Sequence, residues 1–314
     1  MIKKLSFILS RLWQYHNLYF LKPFDAVNDT LTARLIHQLD WEGSVVEIGS
    51  GDGVYSYIMH GGTFPLWFDR YWLTDLSKSD MYASHIDNFI KPSKKLTTPN
   101  IELAIDERDF HVAKIKEIGF AKNAMQSAYE QLPLETEGVH KIFYYTAHGL
   151  EDYGKAIEEA NRILKKGGKM LVLLFDKEVT KHFICHQLSL SFTDEKRKNY
   201  FAKLDNGRYE ELYKIANTVE DWEQFFSARG FKLNRTIKGL SPLAWKLYDT
   251  QTRPFLKSLI RFFNWLPKYL RTFCKIMWML SCYPFIVLFY ILFSNDIIKF
   301  SNKNCYLGFE LTKK

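Results

Sequence analysis

Apolar residues along this chain follow two rhythms. The run 45–48, V-V-E-I, is short, apolar and partly β-branched, and glycines at 49, 51 and 53 close it, which predicts a buried strand followed by a tight turn. Helical spacing predicts a helix over 26–39 before that strand and another over 54–60 after it, the second stopped by Gly61 and Gly62. The stretch 61–99 is too long for an ordinary connection, and its aromatics with Pro92 and Pro99 predict an insertion with its own packing. Beyond it, N-I-E-L-A-I-D-E reads as a strand ending in an acid, and a lysine-rich helix with a stop at Gly119 follows.

Two other segments repeat at helical spacing with an unusual balance. Near the N-terminus, Leu5, Ile8, Leu9, Leu12 and Trp13 share one helical face, and Arg11 interrupts the apolar run, so an amphipathic helix is expected there rather than a leader peptide. Between 255 and 275, Lys257, Arg261, Asn264, Lys268, Arg271 and Lys275 form one narrow polar stripe, and aromatic and aliphatic residues cover the rest. Such a helix is too apolar for a face turned to water. Pro267 is expected to kink it, and 276–293 then runs 18 residues without a charge, near the lower limit for crossing a bilayer.

The glycine turn carries the first chemistry. Glycines let the chain reverse with φ values closed to other residues and let a ligand approach the backbone. Amide N–H groups at the start of the next helix favour a carboxylate or phosphate, so a nucleotide-like ligand is expected. A dinucleotide turn would read G-x-G-x-x-G, but Val54 occupies the third glycine position, and the pattern here is E-x-G-x-G-x-G. An acid at the tip of the neighbouring strand can accept hydrogen bonds from both ribose hydroxyls. Asp106 is the choice and Asp75 the rival, because a lysine-rich helix with a terminal glycine follows Asp106 alone.

The E-x-G-x-G-x-G pattern resembles the first motif of class I S-adenosylmethionine-dependent methyltransferases, and the following strand, acid and helix resemble the ubiquinone-biosynthesis type. The likeness extends through 41–60, 100–176, 219–238 and 304–314. Within it lie a third strand over 124–127, a fourth in V-H-K-I-F-Y-Y, a helix ending R-I-L-K-K-G-G with its glycines as a stop, and a last, antiparallel strand in Y-L-G-F-E-L. It implies a Rossmann-like, doubly wound, seven-stranded α/β sheet, mostly parallel with an antiparallel last strand, and S-adenosylmethionine as cofactor.

Carried over residue by residue, the resemblance implies that Glu47 holds the methionine end, beside Gly49, Ser50, Gly51 and Gly53. Asp106 and Glu107 would face the ribose. Ala128, Tyr129 and Thr146 would complete the cofactor site, although the usual adenine-contacting acid is missing at Ala128. His148, in the loop after strand four, is the candidate base, with Tyr145 beside it; a loop histidine bonding a carbonyl is the plainer reading. No metal is expected. Asp69, Asp75, Asp80 and His85 fit no regular site, and His182, Cys185 and His186 lack a further ligand.

Charge sharpens the membrane expectation. The chain has 314 residues and net charge +8, but 1–24 and 250–295 are basic and free of acids, whereas 25–249 is acidic on balance. Positive charge segregated with large apolar side chains argues against nucleic acid and for an anionic membrane surface. The four cysteines form no CxxC pair, which suits reduced, buried thiols. The expected organisation is an amphipathic segment at 1–24, a methyltransferase domain at 25–238, a membrane-associated helical insertion at 239–303 and the final strand at 304–314. Both ends of the insertion join the sheet, so one simple crossing is excluded and an interfacial or re-entrant hairpin remains. A lipid or lipid-linked acceptor at the inner, cytoplasmic face follows. The alternatives are a soluble acceptor, a cofactor-binding scaffold without catalysis, and a nicotinamide oxidoreductase, which Val54 and the antiparallel strand oppose.

Overall fold

The computed structural model describes residues 2–36, 44–72, 74, 76–77, 101–145, 152–294 and 303–314. Seven strands form one sheet: β1 Val45–Ile48, β2 Ile101–Asp106, β3 Ala121–Gln126, β4 Val139–Tyr144, β5 Leu164–Phe175, β6 Phe231–Lys238 and β7 Tyr306–Lys313. Their order is β3-β2-β1-β4-β5-β7-β6, parallel from β3 to β5, with β7 antiparallel to both of its neighbours. This is the expected fold class. The order reverses between β1 and β4, and in such sheets ligands bind in the crevice beyond the carboxyl ends of the strands at that point.

Helices α1 Ile2–Leu18 and α2 Pro23–Ile36 precede the sheet, and α3 Val54–Met59, α4 Asp109–Ile118 and α5 Tyr153–Ile163 follow β1, β2 and β4. Between β5 and β6 come α6 Ile184–Ser191, α7 Glu195–Asp205, α8 Arg208–Ile215 and α9 Val219–Ala228. The sheet separates two apolar layers. One gathers Ile48, Ile105, Tyr144, Val172 and Phe226, and the other packs Phe143, Leu171 and Ile58 against α1 and α2. The N-terminal helix is therefore built into the domain, with Leu12, Tyr15 and Leu18 fully buried.

Between β6 and β7 lie α10 Pro242–Thr250, α11 Leu256–Trp265 and α12 Lys268–Phe293. Lys238 at the end of β6 pairs with Leu307, and Tyr306 lies opposite Phe175, so both ends of this insertion emerge at the carboxyl edge of the parallel strands. Pro267 separates two helices instead of kinking one, because its ring cannot continue α11 and it stands as the cap residue of α12. The glycine pair also departs from expectation. Helix α5 ends at Ile163, and Gly167 and Gly168 lie within β5, where the register to β4 shifts. A Cβ on Gly168 would come 2.7 Å from the Lys165 carbonyl oxygen, so the pair serves a strand irregularity rather than a helix stop.

The expected polar stripe divides in two. Arg271 and Lys275 are each 1% exposed and face inward. Arg271 Nε lies 2.5 Å from Asp69 Oδ2 and its Nη1 donates to Asn264 Oδ1 at 2.7 Å, while Lys275 donates to Asn17 Oδ1 at 2.6 Å and to the Phe68 carbonyl. Trp278 Nε1 donates to the Phe20 carbonyl at 2.8 Å, Tyr283 to the Leu9 carbonyl at 3.2 Å and Arg34 Nη1 to the Ser294 carbonyl at 2.5 Å. Thus α12 docks lengthwise on α1 and α2. Its opposite face carries exposed Tyr269, Phe273, Leu280, Phe285 and Leu288, and α11 adds Phe262 and Trp265, the last 80% exposed. Lys257, Arg261 and Lys268 stand exposed around this apolar face.

Candidate active site

The turn after β1 is held from β2. The Gly49 and Ser50 N–H groups donate to the Ile105 carbonyl at 2.9 and 3.2 Å, Gly51 N–H donates to Asp106 Oδ2 at 2.8 Å, and Gly53 N–H donates to the Ser50 carbonyl at 3.1 Å. The expected set of free amides is therefore largely used within the protein, and the turn is rigid before any ligand arrives. Gly53 has φ 77° and a Cβ there would meet Phe120 Cε1 at 2.6 Å, whereas Gly51, at φ 56°, has nothing within 4 Å of its Cβ position. The first glycine permits helix packing, and the second faces open space that a ligand can enter.

Asp106 ends β2 beside the turn, as its place in the sequence implied. Its carboxylate also accepts from the Arg108 N–H at 3.1 Å and from the Tyr129 hydroxyl at 3.3 Å, and His111 Nδ1 lies 2.8 Å from Oδ1. It clamps β1, β2 and the loop after β3 together. The 3.3 Å Tyr129 contact is the longest of these. Glu107 and Ala128 are exposed at the rim of the same edge, and Tyr129 beside Ala128 is buried with its hydroxyl on Asp106.

Glu47 lies within β1 with 0% exposure. Ser56 on α3 donates to Oε1, and among the described residues Oε2 has no hydrogen-bond partner. Burial pushes its carboxyl up to about 8, against the hydrogen bond from Ser56. An orphaned carboxylate oxygen beside an open glycine turn suits a cationic group, since an ammonium would satisfy the oxygen and favour its ionised form. Ser50 is itself buried, its hydroxyl donating to the Glu47 carbonyl at 3.3 Å. The residues present therefore fit a ligand carrying an ammonium at one end and ribose hydroxyls at the other.

Asp52, in the middle of the turn, forms a buried pair with Arg70 at 2.6 Å, a partner that no spacing in the sequence signals. Arg70 stands next to Asp69, the partner of Arg271, so the segment after α3 ties the glycine turn to α12. The described part of the 61–99 insertion thus packs as a strut, with Asn17 donating to the Phe64 and Pro65 carbonyls at 3.2 Å. Asp75, Asp80, His85, Thr146 and His148 lie outside the described residues.

Tyr145 follows β4, its N–H donating to the Ile48 carbonyl at 3.0 Å. Its ring stacks on Tyr55 at 4.7 Å, and Tyr55 stacks on Tyr15 at 5.4 Å. Burial holds the Tyr145 hydroxyl well above its ordinary range. Away from this edge, His182 contacts Glu178 at 3.1 Å, His186 stacks on Tyr209 at 3.6 Å, and Cys185 is buried. Among the described residues no group of three or more His, Cys, Asp or Glu side chains is arranged to hold a metal ion.

Sheet order, antiparallel β7, glycine turn and tip acid are now together in one site. The chain has a Rossmann-like, seven-stranded fold, parallel except for β7. No protein-family model and no curated protein matches the sequence. Among solved structures, the chain is similar to an S-adenosylmethionine-dependent methyltransferase from Thermotoga maritima, described as a possible histamine N-methyltransferase, with 14% identity over 98% of this chain and 99% of that one and a TM-score of 0.46. It is also similar to geranyl diphosphate C-methyltransferase from Streptomyces coelicolor, with 8% identity over 91% and 81% of the two chains and a TM-score of 0.43. A third similar structure is the [4+2]-cyclase SpnF, with 14% identity over 91% and 81% and a TM-score of 0.45.

Proposed function

We propose that this protein is an S-adenosylmethionine-dependent methyltransferase that works at a membrane surface on a lipid or lipid-linked acceptor. When bound, the cofactor supplies an electrophilic methyl group on a sulfonium. Glu47 would hold its ammonium through the orphaned oxygen, the open side of Gly51 would admit its backbone, and Asp106 would take its ribose hydroxyls. In-line methyl transfer asks the protein mainly to align two reactants and keep water out. The tyrosines over the crevice suit that task.

One observation carries the membrane part of this reading. The exposed apolar face of α11 and α12 belongs to an insertion whose two ends leave the same sheet edge as the glycine turn. A face bearing Trp265, Phe273 and Phe285 is costly in water and favourable at a bilayer interface, and Lys257, Arg261 and Lys268 around it complement anionic headgroups. Helix α12 is long and apolar enough to cross a membrane, but its inner face is committed to α1 and α2, which supports an interfacial placement. A lipid could then reach the site without entering water. The test is incubation of the full chain with methyl-labelled S-adenosylmethionine and fractionated extract of the source cell. Label in the organic phase is expected; label confined to water-soluble products would overturn the lipid acceptor, and cofactor binding without transfer would favour the scaffold alternative.

A further inference from the structure

The donors on the Asp106 carboxylate come in two kinds. Oδ1 takes the Arg108 N–H at 3.1 Å and His111 Nδ1 at 2.8 Å, and Oδ2 takes the Gly51 N–H at 2.8 Å and the Tyr129 hydroxyl at 3.3 Å. Each oxygen therefore holds one backbone donor and one side-chain donor. A carboxylate has about four lone-pair sites, so these four donors fill it.

The backbone donors are fixed. Gly51 sits in a turn tied down on one flank by the Gly49 and Ser50 bonds to Ile105 and on the other by the Gly53 bond to Ser50, and Arg108 is the cap residue of α4. The side-chain donors turn about their own χ angles. His111 stands in the first turn of α4, half-buried, its ring edge-on to Phe110 at 4.5 Å, and Tyr129 lies in the turn after β3, its ring edge-on to Tyr144 at 6.2 Å. Asp106 itself is 4% exposed, and a buried carboxylate short of donors is costly. His111 and Tyr129 remove that cost while the crevice is empty of ligand.

We propose that His111 and Tyr129 hold the places of the two ribose hydroxyls on Asp106, and that cofactor binding exchanges them, one hydroxyl to each carboxylate oxygen. This deepens the methyltransferase reading and rests on it. The exchange preserves the count of donors: two side-chain donors leave, two hydroxyls arrive, and the Gly51 and Arg108 N–H bonds stay. Released, His111 turns toward the rim, where Glu107 and Arg108 are exposed, and the Tyr129 contact gives up least because it is the longest of the four. The pair thereby sets the ligand class. A ligand must bring a vicinal pair of O–H donors; one lacking a hydroxyl leaves a place-holder bonded, and a phosphate on either hydroxyl removes a donor and sets anionic oxygens against the carboxylate. The affinity for a complete diol is the difference between two sets of hydrogen bonds, so deleting a place-holder should tighten binding, whereas deleting a direct contact weakens it.

The test is calorimetry on the full chain with S-adenosylhomocysteine and with its counterpart lacking both ribose hydroxyls. His111→Phe and Tyr129→Phe should each bind S-adenosylhomocysteine about three- to tenfold more tightly than the original protein, with affinity for the counterpart changed by less than about twofold. His111→Asn, which keeps a side-chain N–H donor, should stay near the original. Imidazole nitrogen-15 NMR of the unsubstituted protein should show the His111 Nδ1 signal move as S-adenosylhomocysteine saturates the site and hold still with the counterpart, a readout that decides the matter even where a Phe variant fails to fold. Weaker or unchanged binding by both Phe variants, or a His111 signal unmoved at saturation, would overturn the assignment with cofactor binding intact. No binding of S-adenosylhomocysteine by the unsubstituted protein would instead overturn the methyltransferase reading, and the place-holders with it.

Discussion

Helices α9 and α12 solve opposite problems with the same period. In α9, Trp222 and Phe226 are buried against the sheet while Glu220, Asp221 and Glu223 face out, the arrangement water selects. In α12 Arg271 and Lys275 are buried along with Met279, Ile286, Tyr290 and Phe293, while Tyr269, Phe273 and Phe285 face out, Phe273 at 61% exposure. The contrast lies in the outer faces, charged in α9 and apolar in α12, and the proposed membrane placement assigns the second to an apolar phase. It also shows that hydropathy along a helix does not tell which side is the inside, because two of the charged residues of α12, Arg271 and Lys275, lie on its inner face.

The comparison is broken most forcefully by putting the same charge on matched positions. Phe226→Asp in α9 buries an unpaired carboxylate and should cost about 4 kcal/mol or more, enough to unfold a marginal domain. Phe273→Asp in α12 should leave denaturant stability almost unchanged and instead weaken binding to phosphatidylglycerol vesicles about tenfold or more. Equal loss of stability in the two variants, read by urea titration, would show that α12 has an ordinary outer face.

The next largest effect lies on the inner face. Arg271→Ala leaves Asp69 buried without its cation and should destabilise by about 3 to 5 kcal/mol, because the lost partner strands a desolvated charge. The double change Asp69→Asn with Arg271→Met removes both charges and should recover most of that loss. Since Asp69 adjoins Arg70, which holds Asp52 of the glycine turn, Arg271→Ala should also weaken cofactor affinity; calorimetry showing unchanged affinity would mean that the strut does not couple α12 to the turn.

These inner contacts mark where reading the chain in one dimension stops. The strand 45–48, its glycines, the acid at the tip of the neighbouring strand and the position of the insertion were legible, because each depends on residues adjacent in sequence or on sheet connectivity. Arg271 and Lys275 were legible only as part of a stripe. Their partners, Asp69 and Asn17, lie 202 and 258 residues away, and nothing local distinguishes a stripe turned to headgroups from one turned inward. Gly167 and Gly168 misled for a related reason, since a lysine-rich run before two glycines reads as a helix end whether or not a strand irregularity claims it.

A smaller effect is expected at the glycine turn itself. Asp106→Ala removes an acceptor shared by Gly51, Arg108, His111 and Tyr129, so it should cost about 1.5 to 3 kcal/mol of stability as well as cofactor affinity. Asp106→Asn keeps one carbonyl acceptor and should retain more stability while still binding the cofactor poorly. Full cofactor affinity in both variants would move the ribose contact elsewhere, with Asp75 the first candidate.

The smallest effect is a change in pH dependence, and it tests whether Lys275 is as dry as its place on α12 implies. Burial lowers this lysine to about 7; Asp69 raises it, and Arg271 lowers it further. Between that value and the ordinary lysine range of about 10.4, the folded protein holds the group neutral while the unfolded chain holds it charged. The unfolded state then binds more protons, so the Lys275 contribution to stability rises with pH across that window, and below about 7 the group is charged in both states and its contribution stays flat. Asp29 and Glu47 act in the opposite sense below about 8, because burial raises both and the folded state binds the extra protons, so the total curve mixes the three. Lys275→Met isolates one of them: the difference in urea-derived stability between the original protein and the variant should climb in favour of the original as pH goes from 7 to 10. A difference that stays level over that range would mean that water reaches the Lys275 ammonium, and that the inner face of α12 is open rather than sealed against α1.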